Sequence, residues 1–427
     1  MPKDTPIDET PFQMPAGEDD LPAVVPETGQ AGEQSKVRII LGLLKRIGDS
    51  TDEFERMLSV LRFAFSKELK FVRQRIGKPY NSALASKTSG KGAKSAAGGG
   101  VGGLKSSMSS LSIQQGASDA SGSGNNANES AEQVVVFLCE QVSHHPPISS
   151  AYYACPGKGV EMTCVDQISA KVSGMTVQVT PGEANKGLFI SLKEPSLGAG
   201  EEYQVTHPIA QVNGILKGTF YGTIGDKITV TCRGGKPGKT KLKAIIEYRD
   251  ESWLGKPKFA LEGIIYNYNP DKPEEEEWSK IKQVPSDRVV ANVEGSWRKQ
   301  IKYRRKGEKE WTLLIDLAQL GMTPRSVRPL SEQEERESRR LWDPVTAHMV
   351  TKNWNEATKQ KQSIEQRQRD IAHELKQKGI EYVNLPSEQS HKPAYFEQDI
   401  SSGKPVLSEQ GRKAVEAELE RARREVG

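Results

Sequence analysis

The hydrophobic and polar positions of the chain follow a helical period near the N-terminus. Apolar side chains recur at helical spacing within residues 52–75, at Phe54, Leu58, Leu61, Phe65 and Leu69. This pattern predicts an amphipathic helix, and we expect its apolar face to pack on a core rather than on a membrane. The short apolar run just before it, at residues 37–44, is consistent with a helix start, a buried strand or an amphipathic segment.

The pattern changes to that of β-strands between residues 133 and 320. Short runs rich in β-branched and aromatic residues stand at 134–138, 161–166, 175–180, 187–192, 226–232, 241–248 and 258–268. Gly, Pro, Asn or Asp separates most of these runs, and no helical pattern lies between them. The spacing therefore favours an antiparallel sheet over a parallel α/β design. Because a long sheet needs closed or covered edges, it also favours a barrel.

After Met322 the pattern becomes helical again, with many charges and few apolar positions. Helices are predicted over residues 331–350, 355–378 and 407–425. We expect solvated helices that lie on one side of the β unit. The predicted fold class is therefore α+β, with strands followed by helices.

Two stretches have no periodic apolar pattern. Residues 1–36 are rich in Pro, Asp, Glu and Gly and are predicted to be disordered. Residues 83–130 consist mainly of Gly, Ser, Ala, Lys and Asn and are predicted to be a low-complexity, flexible insert. One domain over residues 37–427, interrupted by this insert, agrees with a hydrophobic content of only 35%.

Composition narrows the class of protein. The formal net charge of +4 is small for 427 residues, so no nucleic-acid partner is expected. No run approaches the roughly 20 apolar residues of a membrane-spanning helix, and the N-terminus lacks the apolar region of a secretory signal. We therefore expect a cytosolic protein, with its four cysteines present as buried free thiols.

A pair of histidines is the first group that suggests chemistry. His144 and His145 follow a predicted strand and precede Pro146 and Pro147, which continue neither a strand nor a helix. The two imidazoles are therefore expected at a rigid strand end. Adjacent histidines bind a metal, donate hydrogen bonds to an anion, or simply pack. Recognition of an oxyanion is favoured, because no further ligands stand at metal-binding spacing, but the other two interpretations stay open.

The second group is formed by Lys361, Glu365 and Arg369, which are four residues apart on a predicted helix. This spacing places the three side chains on one helical face, where Glu365 can orient both cations. By spacing alone, a solvent-exposed ladder of ion pairs is the favoured interpretation. If the helix instead faced the two histidines, the same cations would form a phosphate-binding cradle.

This sequence lacks three well-known enzyme motifs. It contains no GxSxG nucleophile elbow, no Walker loop and no HExxH motif. No nucleophile is paired with either histidine in a recognised arrangement. We therefore predict that the protein is not an enzyme and needs no metal or cofactor.

The segment EQVSHHPP, at residues 140–147, resembles the signature of the oxysterol-binding-protein-related family. Further resemblance is seen at 78–82, 165–174, 248–263, 337–342 and 361–370, and it is strongest to fungal members. The family implies an incomplete antiparallel barrel around a lipid tunnel, closed by an N-terminal lid. It also implies transfer of lipids between membranes by a peripherally associated, monomeric protein.

The resemblance also implies ligands and site residues. Phosphatidylinositol 4-phosphate is the shared ligand of the family, and a sterol or phosphatidylserine competes for the tunnel. The motif match assigns the head group to His144 and His145, and the helical pattern adds Lys361, Glu365 and Arg369. Beside a recognised head-group site, the three helical residues are reinterpreted as part of the phosphate cradle.

The sequence departs from the family pattern in two places. Only residues 49–51 lie between LLKRIG, at residues 43–48, and the helix that begins at residue 52, where the family has a longer lid. After residues 78–81 the family has an NPxLGE-type stretch and a strand with a phosphate-binding lysine, but here the low-complexity insert follows. The alternative function is therefore a phosphoinositide sensor or signalling module without transfer activity.

Overall fold

The structure, a computed structural model, describes residues 40–67, 110–114, 134–143, 147–173, 176–213, 221–238, 240–249, 259–320, 328–334, 337–378 and 393–426. The helices in these ranges are α1 (Ile40–Lys45), α2 (Glu53–Ser66), α3 (Pro273–Glu276), α4 (Ser338–Val350), α5 (Trp354–Gln377) and α6 (Glu409–Val426). The strands are β1 (Ser110–Gln114), β2 (Val135–Ser143), β3 (Ile148–Cys155), β4 (Val160–Ser173), β5 (Thr176–Pro181), β6 (Leu188–Leu192), β7 (Glu201–Val205), β8 (Ile209–Asn213), β9 (Tyr221–Gly225), β10 (Lys227–Gly234), β11 (Lys241–Tyr248), β12 (Ala260–Tyr268), β13 (Val289–Ser296), β14 (Gln300–Arg305) and β15 (Thr312–Asp316).

The strands form one large antiparallel sheet. Its order is β1-β2-β3-β4-β6-β7-β10-β11-β12-β13-β14-β15, while β5, β8 and β9 branch from the far end of β4. Within the described strands, β1 and β15 end this path and do not pair with each other. The prediction of an antiparallel, incomplete barrel with helices before and after it is confirmed. The lipid-sized tunnel stays a prediction.

Helix α2 packs on the inner face of this sheet, against β10, β11 and β15. Asp52 caps its N-terminus by accepting a hydrogen bond from the Phe54 amide at 2.9 Å. Buried side chains occur on every side of the helix, and they share one core with β6, β7, β10 and β11. The predicted packing of the apolar face on a core is confirmed, while the polar Glu55, Ser59 and Arg62 are only half-buried. Residues 68–75 of the predicted helix lie outside the described residues.

The run at residues 37–44, for which the sequence left three options, contributes a helix. Its described part begins α1, and the buried Leu44 and Ile47 join the core that contains α2. The connection between the two helices is short, because α1 ends at Lys45 and α2 begins at Glu53. The residues before Ile40 lie outside the described part of the chain.

The predicted insert at residues 83–130 contains one strand. β1 pairs with β2, with Leu111 opposite Leu138, so these five residues of the predicted insert form a strand. Their sequence, SLSIQ, is too short and too polar to predict a strand, and pairing with β2 decides its conformation. The remainder of the insert and the predicted disordered residues 1–36 lie outside the described ranges.

The C-terminal helices form two groups. Helices α4 and α5 pack against each other, and α6 packs on β1 and β2. A second apolar core lies between α6 and the outer face of the sheet, and it includes Val136, Leu138, Phe396, Leu407 and Val415. The sheet is therefore covered on its inner face by α2 and on part of its outer face by the C-terminal segment.

All four cysteines lie in the described part of the chain, and none forms a disulfide. Cys155, Cys164 and Cys232 are buried, whereas Cys139 is half-buried. The prediction of buried free thiols is thus confirmed for three cysteines, and it is wrong about the burial of Cys139. Among the described helices, none has the length and apolar character needed to cross a bilayer.

Candidate functional site

The signature segment forms the end of strand β2 and the turn into β3. Ser143 pairs with Ile148, so β2 and β3 are antiparallel neighbours separated in sequence by residues 144–147. A bulge lies between Gln141 and Ser143, immediately before this loop. β2 continues to Ser143, five residues beyond the strand predicted at 134–138, and thus ends directly before His144. His144, His145 and Pro146 themselves lie outside the described residues.

The two faces of this hairpin have different surroundings. On the inner face, the rings of Phe137 and Tyr153 stack with centroids 4.5 Å apart, and Ala151 belongs to the core that contains α2. On the outer face, Leu138 and Ile148 belong to the core below α6. The hairpin thus connects the interior of the sheet with the C-terminal layer.

Glu140 has a structural role that sequence reasoning missed. Its Oε1 accepts a hydrogen bond from the Ala394 amide at 2.8 Å, and its Oε2 accepts one from the Tyr395 amide at 2.9 Å. Burial raises the pKa of the Glu140 carboxyl group, although the amides of residues 394–396 act to lower it. The only sequence signal was the position of Glu140 inside the signature.

Two buried hydroxyl groups lie in the same hairpin. Ser143 is 2% exposed and Ser150 is fully buried. Within the described part of the chain, neither Oγ atom has a hydrogen-bond partner. Such buried, unsatisfied hydroxyls are uncommon, and both lie within a few residues of the histidine loop.

The three predicted helical residues all lie on α5. The Lys361 ammonium nitrogen lies 3.1 Å from Glu365 Oε1, so the first half of the predicted ladder forms. The Arg369 guanidinium donates to Gln366 Oε1 from Nε at 3.1 Å and from Nη2 at 3.0 Å. Lys361 and Glu365 are half-buried, beside the buried Ala357, whereas Arg369 is exposed. Whether this face approaches the histidine loop stays a prediction.

A shallow groove of about 460 Å³ lies on another side of α5. It is lined by Ser363, Gln366, Arg367, Asp370 and Glu374. At 3.6 residues per turn, most of these positions lie opposite Lys361 and Glu365. The groove is therefore distinct from the predicted phosphate cradle.

Metal binding receives no support from the described residues. No three His, Cys, Asp or Glu side chains in these ranges are placed to hold an ion together. The histidine loop falls outside them, so the nature of its ligand rests on the motif and on comparison with known proteins.

Comparison with protein families identifies the class of protein. The model of the family described as oxysterol-binding protein matches residues 39–349, which include the signature segment and all fifteen described strands. This chain therefore belongs to the oxysterol-binding protein family.

Individual relatives support this assignment. Oxysterol-binding protein-like protein 1 of Schizosaccharomyces pombe is 32% identical, over 87% of this chain and 81% of the relative. Oxysterol-binding protein homolog C23B6.01c of the same organism is 31% identical, over 64% of this chain and 52% of its own length. Human oxysterol-binding protein-related protein 11 is 30% identical over 59% of this chain, but this chain covers only 31% of it. The chain thus spans about half or less of these last two relatives.

Solved structures share the fold at low sequence identity. The Osh1 ORD domain in complex with cholesterol has a TM-score of 0.53 at 16% identity, covering 93% of this chain and 82% of that one. The Osh3 ORD of Saccharomyces cerevisiae in complex with PI(4)P has a TM-score of 0.52 at 14% identity, covering 96% of each chain. The same Osh1 domain is also known in complex with ergosterol.

Proposed function

We propose that this protein binds single lipid molecules and transfers them between membranes, taking phosphatidylinositol 4-phosphate in exchange for a sterol or phosphatidylserine. The observation that carries this proposal is the EQVSHHPP segment at the tip of the β2–β3 hairpin. That hairpin lies in a sheet whose structural neighbours were solved with cholesterol, ergosterol and PI(4)P. Phosphatidylserine rests on the resemblance of the sequence alone.

The head group would be held by His144 and His145 together with Lys361, Glu365 and Arg369. A phosphorylated inositol carries several negative charges, and charge-assisted hydrogen bonds are about twice as strong as neutral ones. Arg369 supplies a planar fork of donors and Lys361 a point charge. Glu365 already pairs with Lys361 at 3.1 Å and would keep that ammonium group oriented.

The lipid tail would enter the inner side of the sheet. The inner core contains apolar side chains from most strands of the path, such as Val160, Ile190, Val230 and Ile246. Burial of acyl chains gains about 0.8 kcal/mol per CH2 group, which offsets extraction from a bilayer. No bond is made or broken in this process, so the proposed activity is not enzymatic. We expect a cytosolic monomer that touches membranes peripherally.

A liposome assay tests this proposal. Donor vesicles would contain a fluorescent phosphatidylinositol 4-phosphate, and its extraction would be compared between the wild-type protein and His144→Ala/His145→Ala. We expect the double variant to lose at least tenfold in extraction, because it removes two donors to a charged group. His207→Ala, a histidine elsewhere in the β region, is the control. Equal extraction by the double variant and the wild type would remove the site assignment.

A second function is favoured by one structural observation. Where the family resemblance implies a mobile lid, Leu44 and Ile47 are buried in the core with α2, and α1 leads into α2 through a short turn. A protein without a mobile lid would bind a phosphoinositide but exchange it slowly. Stoichiometric binding without vesicle-to-vesicle transfer would select this sensor function over the exchanger.

A further inference from the structure

Glu140 belongs to the signature but lies on the outer face of the hairpin. It is paired with Ser150 on β3, and the preceding pair, Cys139 with Ala151, faces the inner core. Since neighbouring residues of a strand alternate between faces, the Glu140 side chain is directed away from the interior. It is therefore not placed to contact a lipid bound inside the sheet.

The carboxylate of Glu140 instead binds the backbone of the C-terminal segment. Its two oxygens accept from the consecutive amides of Ala394 and Tyr395, at 2.8 and 2.9 Å. Consecutive backbone amides that converge on one anion form a concave donor group, and bonds to a charged acceptor are the stronger kind. This contact joins positions 254 and 255 residues apart in sequence.

The segment that Glu140 holds is itself tightly connected to α6. The Tyr395 carbonyl accepts from the Ser408 amide at 2.9 Å, and Ser408 Oγ donates to the Ala394 carbonyl at 2.7 Å. Ser408 Oγ also accepts from the Gly411 amide at 3.0 Å, in the first turn of α6. A methyl group at Gly411 would overlap the Tyr395 carbonyl oxygen. Residues 394–395 and the start of α6 therefore form one unit.

This unit also covers the outer face of the hairpin with apolar side chains. Phe396 is 1% exposed and pairs by a β-bridge with Leu407. Both side chains belong to the core that includes Val142 and Ile148, which flank the histidine loop on its two strands. The family model ends at residue 349, so this C-terminal layer lies beyond the matched domain.

We infer that Glu140 is a positioning residue, which holds the strand entering the histidine loop against the C-terminal layer and so sets head-group affinity from outside the site. A bulge between Glu140 and the loop disrupts the strand ladder there. The strand end therefore depends on contacts from outside the ladder. This inference rests on the proposed function only for the identity of the ligand. The contact by which Glu140 holds the end of β2 against residues 394–395 does not depend on that ligand.

Three full-length variants test the inference. Glu140→Ala removes both acceptors, and Glu140→Gln keeps one. Gly411→Ala leaves Glu140 intact but displaces the amides that it binds. Binding would be measured to phosphatidylcholine vesicles that contain phosphatidylinositol 4-phosphate, and separately to the fluorescent sterol dehydroergosterol. Amide hydrogen exchange over residues 135–155 would be followed without any lipid.

We expect Glu140→Ala and Gly411→Ala to weaken phosphoinositide binding about tenfold, which corresponds to about 1.4 kcal/mol. Glu140→Gln should have an intermediate effect. Sterol binding should change less than twofold, since a sterol carries no phosphate group for the histidines to bind. Hydrogen exchange of the amides of residues 135–155 should become faster in both Glu140→Ala and Gly411→Ala. Glu262→Ala, which removes an exposed ion pair with Arg249, is the matched control and should leave all readouts unchanged.

Two results would overturn the inference. One is a hairpin that exchanges at the wild-type rate in Glu140→Ala and Gly411→Ala. The other is a parallel loss of sterol and phosphoinositide binding together with a lowered melting temperature, which would mean a general role in stability. A wild-type protein that binds no phosphoinositide would instead refute the proposed function, and hydrogen exchange would still decide the role of Glu140.

Discussion

Arg56 on α2 and Glu201 on β7 form a buried, two-pronged ion pair. Arg56 Nε donates to Glu201 Oε2 at 2.7 Å, Nη2 donates to Oε1, and the two side chains are only 6% and 7% exposed. Tyr203 donates its hydroxyl to the same Oε2 at 2.7 Å, and the Ser50 carbonyl accepts from Arg56 Nη1 at 2.8 Å. The pair anchors the inner helix to the sheet across 145 residues of sequence.

Removal of one partner of this pair should destabilise the fold strongly. We expect Arg56→Met to lower the free energy of unfolding by about 3 kcal/mol or more, because Glu201 would remain as a buried, unpaired charge. The double variant Arg56→Met/Glu201→Met should be more stable than the single one, since neither charge is then left alone. Urea denaturation measures both effects.

An exposed ion pair gives the comparison. Lys193→Ala breaks the contact with Glu161, in which the lysine is 61% exposed, and should cost less than about 1 kcal/mol. If Arg56→Met were as mild as Lys193→Ala, the buried pair would not be the anchor of α2.

Buried thiols should make stability fall in alkaline solution. Burial raises the pKa values of Cys164 and Cys232 from 9.0 to about 12. Above pH 9 the unfolded chain loses these protons while the folded chain keeps them, so the free energy of unfolding decreases as the pH rises. The loss should be about 1 kcal/mol per thiol at pH 10. Melting curves at pH 8 and pH 10 measure it, and Cys164→Ala/Cys232→Ala should show a smaller decrease than the wild type. If the double variant lost as much stability between pH 8 and pH 10 as the wild type, the raised pKa values of the two thiols would not be the cause.

Lys243 should act in the opposite direction. Its ammonium group donates to the carbonyls of Glu276 and Trp278, yet burial lowers its pKa from 10.5 to about 8. Between pH 8 and pH 10 the unfolded chain therefore binds more protons than the folded one, and this group adds stability as the pH rises. Allowing for solvent screening, we expect about 1 kcal/mol over this interval.

The contribution of Lys243 is isolated by difference. The gap in unfolding free energy between the wild type and Lys243→Met should widen from pH 8 to pH 10. Lys241→Met is the matched control, because Lys241 lies on the same strand and donates to the Lys236 carbonyl at the surface. A gap that stays constant with pH for Lys243→Met would refute the prediction.

Cys139 should be the first cysteine to react with a thiol reagent. It is half-buried on β2, next to the inner core, whereas the other three cysteines are buried. Because the thiolate is the reactive form, the raised pKa of Cys155, at about 11, slows that thiol further. Mass spectrometry after brief alkylation at pH 8 should find one modified site. If a lipid occupies the inner face as proposed, it should protect Cys139 from alkylation. Equal labelling of Cys139 with and without bound lipid would argue against a lipid on the inner face.

Much of the fold could be read from local patterns. The helical spacing of Phe54, Leu58 and Leu61 predicted α2 and its burial, and runs rich in β-branched and aromatic residues predicted strands such as β11 and β12. The signature at residues 140–147 indicated the family from eight consecutive residues. These features depend on neighbouring residues only, so they are encoded in the order of the chain.

The sequence could not predict contacts between distant segments. β1 lies in a stretch of low complexity, and only its pairing with β2 makes it a strand. The helical pattern at Lys361, Glu365 and Arg369 likewise could not predict that Arg369 would donate a hydrogen bond to Gln366. Such outcomes depend on which groups meet in space.

By itself, the sequence determined the fold class and the family, and it supplied the proposal for the head-group residues. Only the tertiary structure decided that α2 packs on the inner face, that Arg56 pairs with Glu201, and that Glu140 binds the C-terminal segment. The physical reason is the range of the interactions. Periodicity reports which side of a helix or strand is apolar, but the stability of a buried charge depends on a partner that is often far away in the chain.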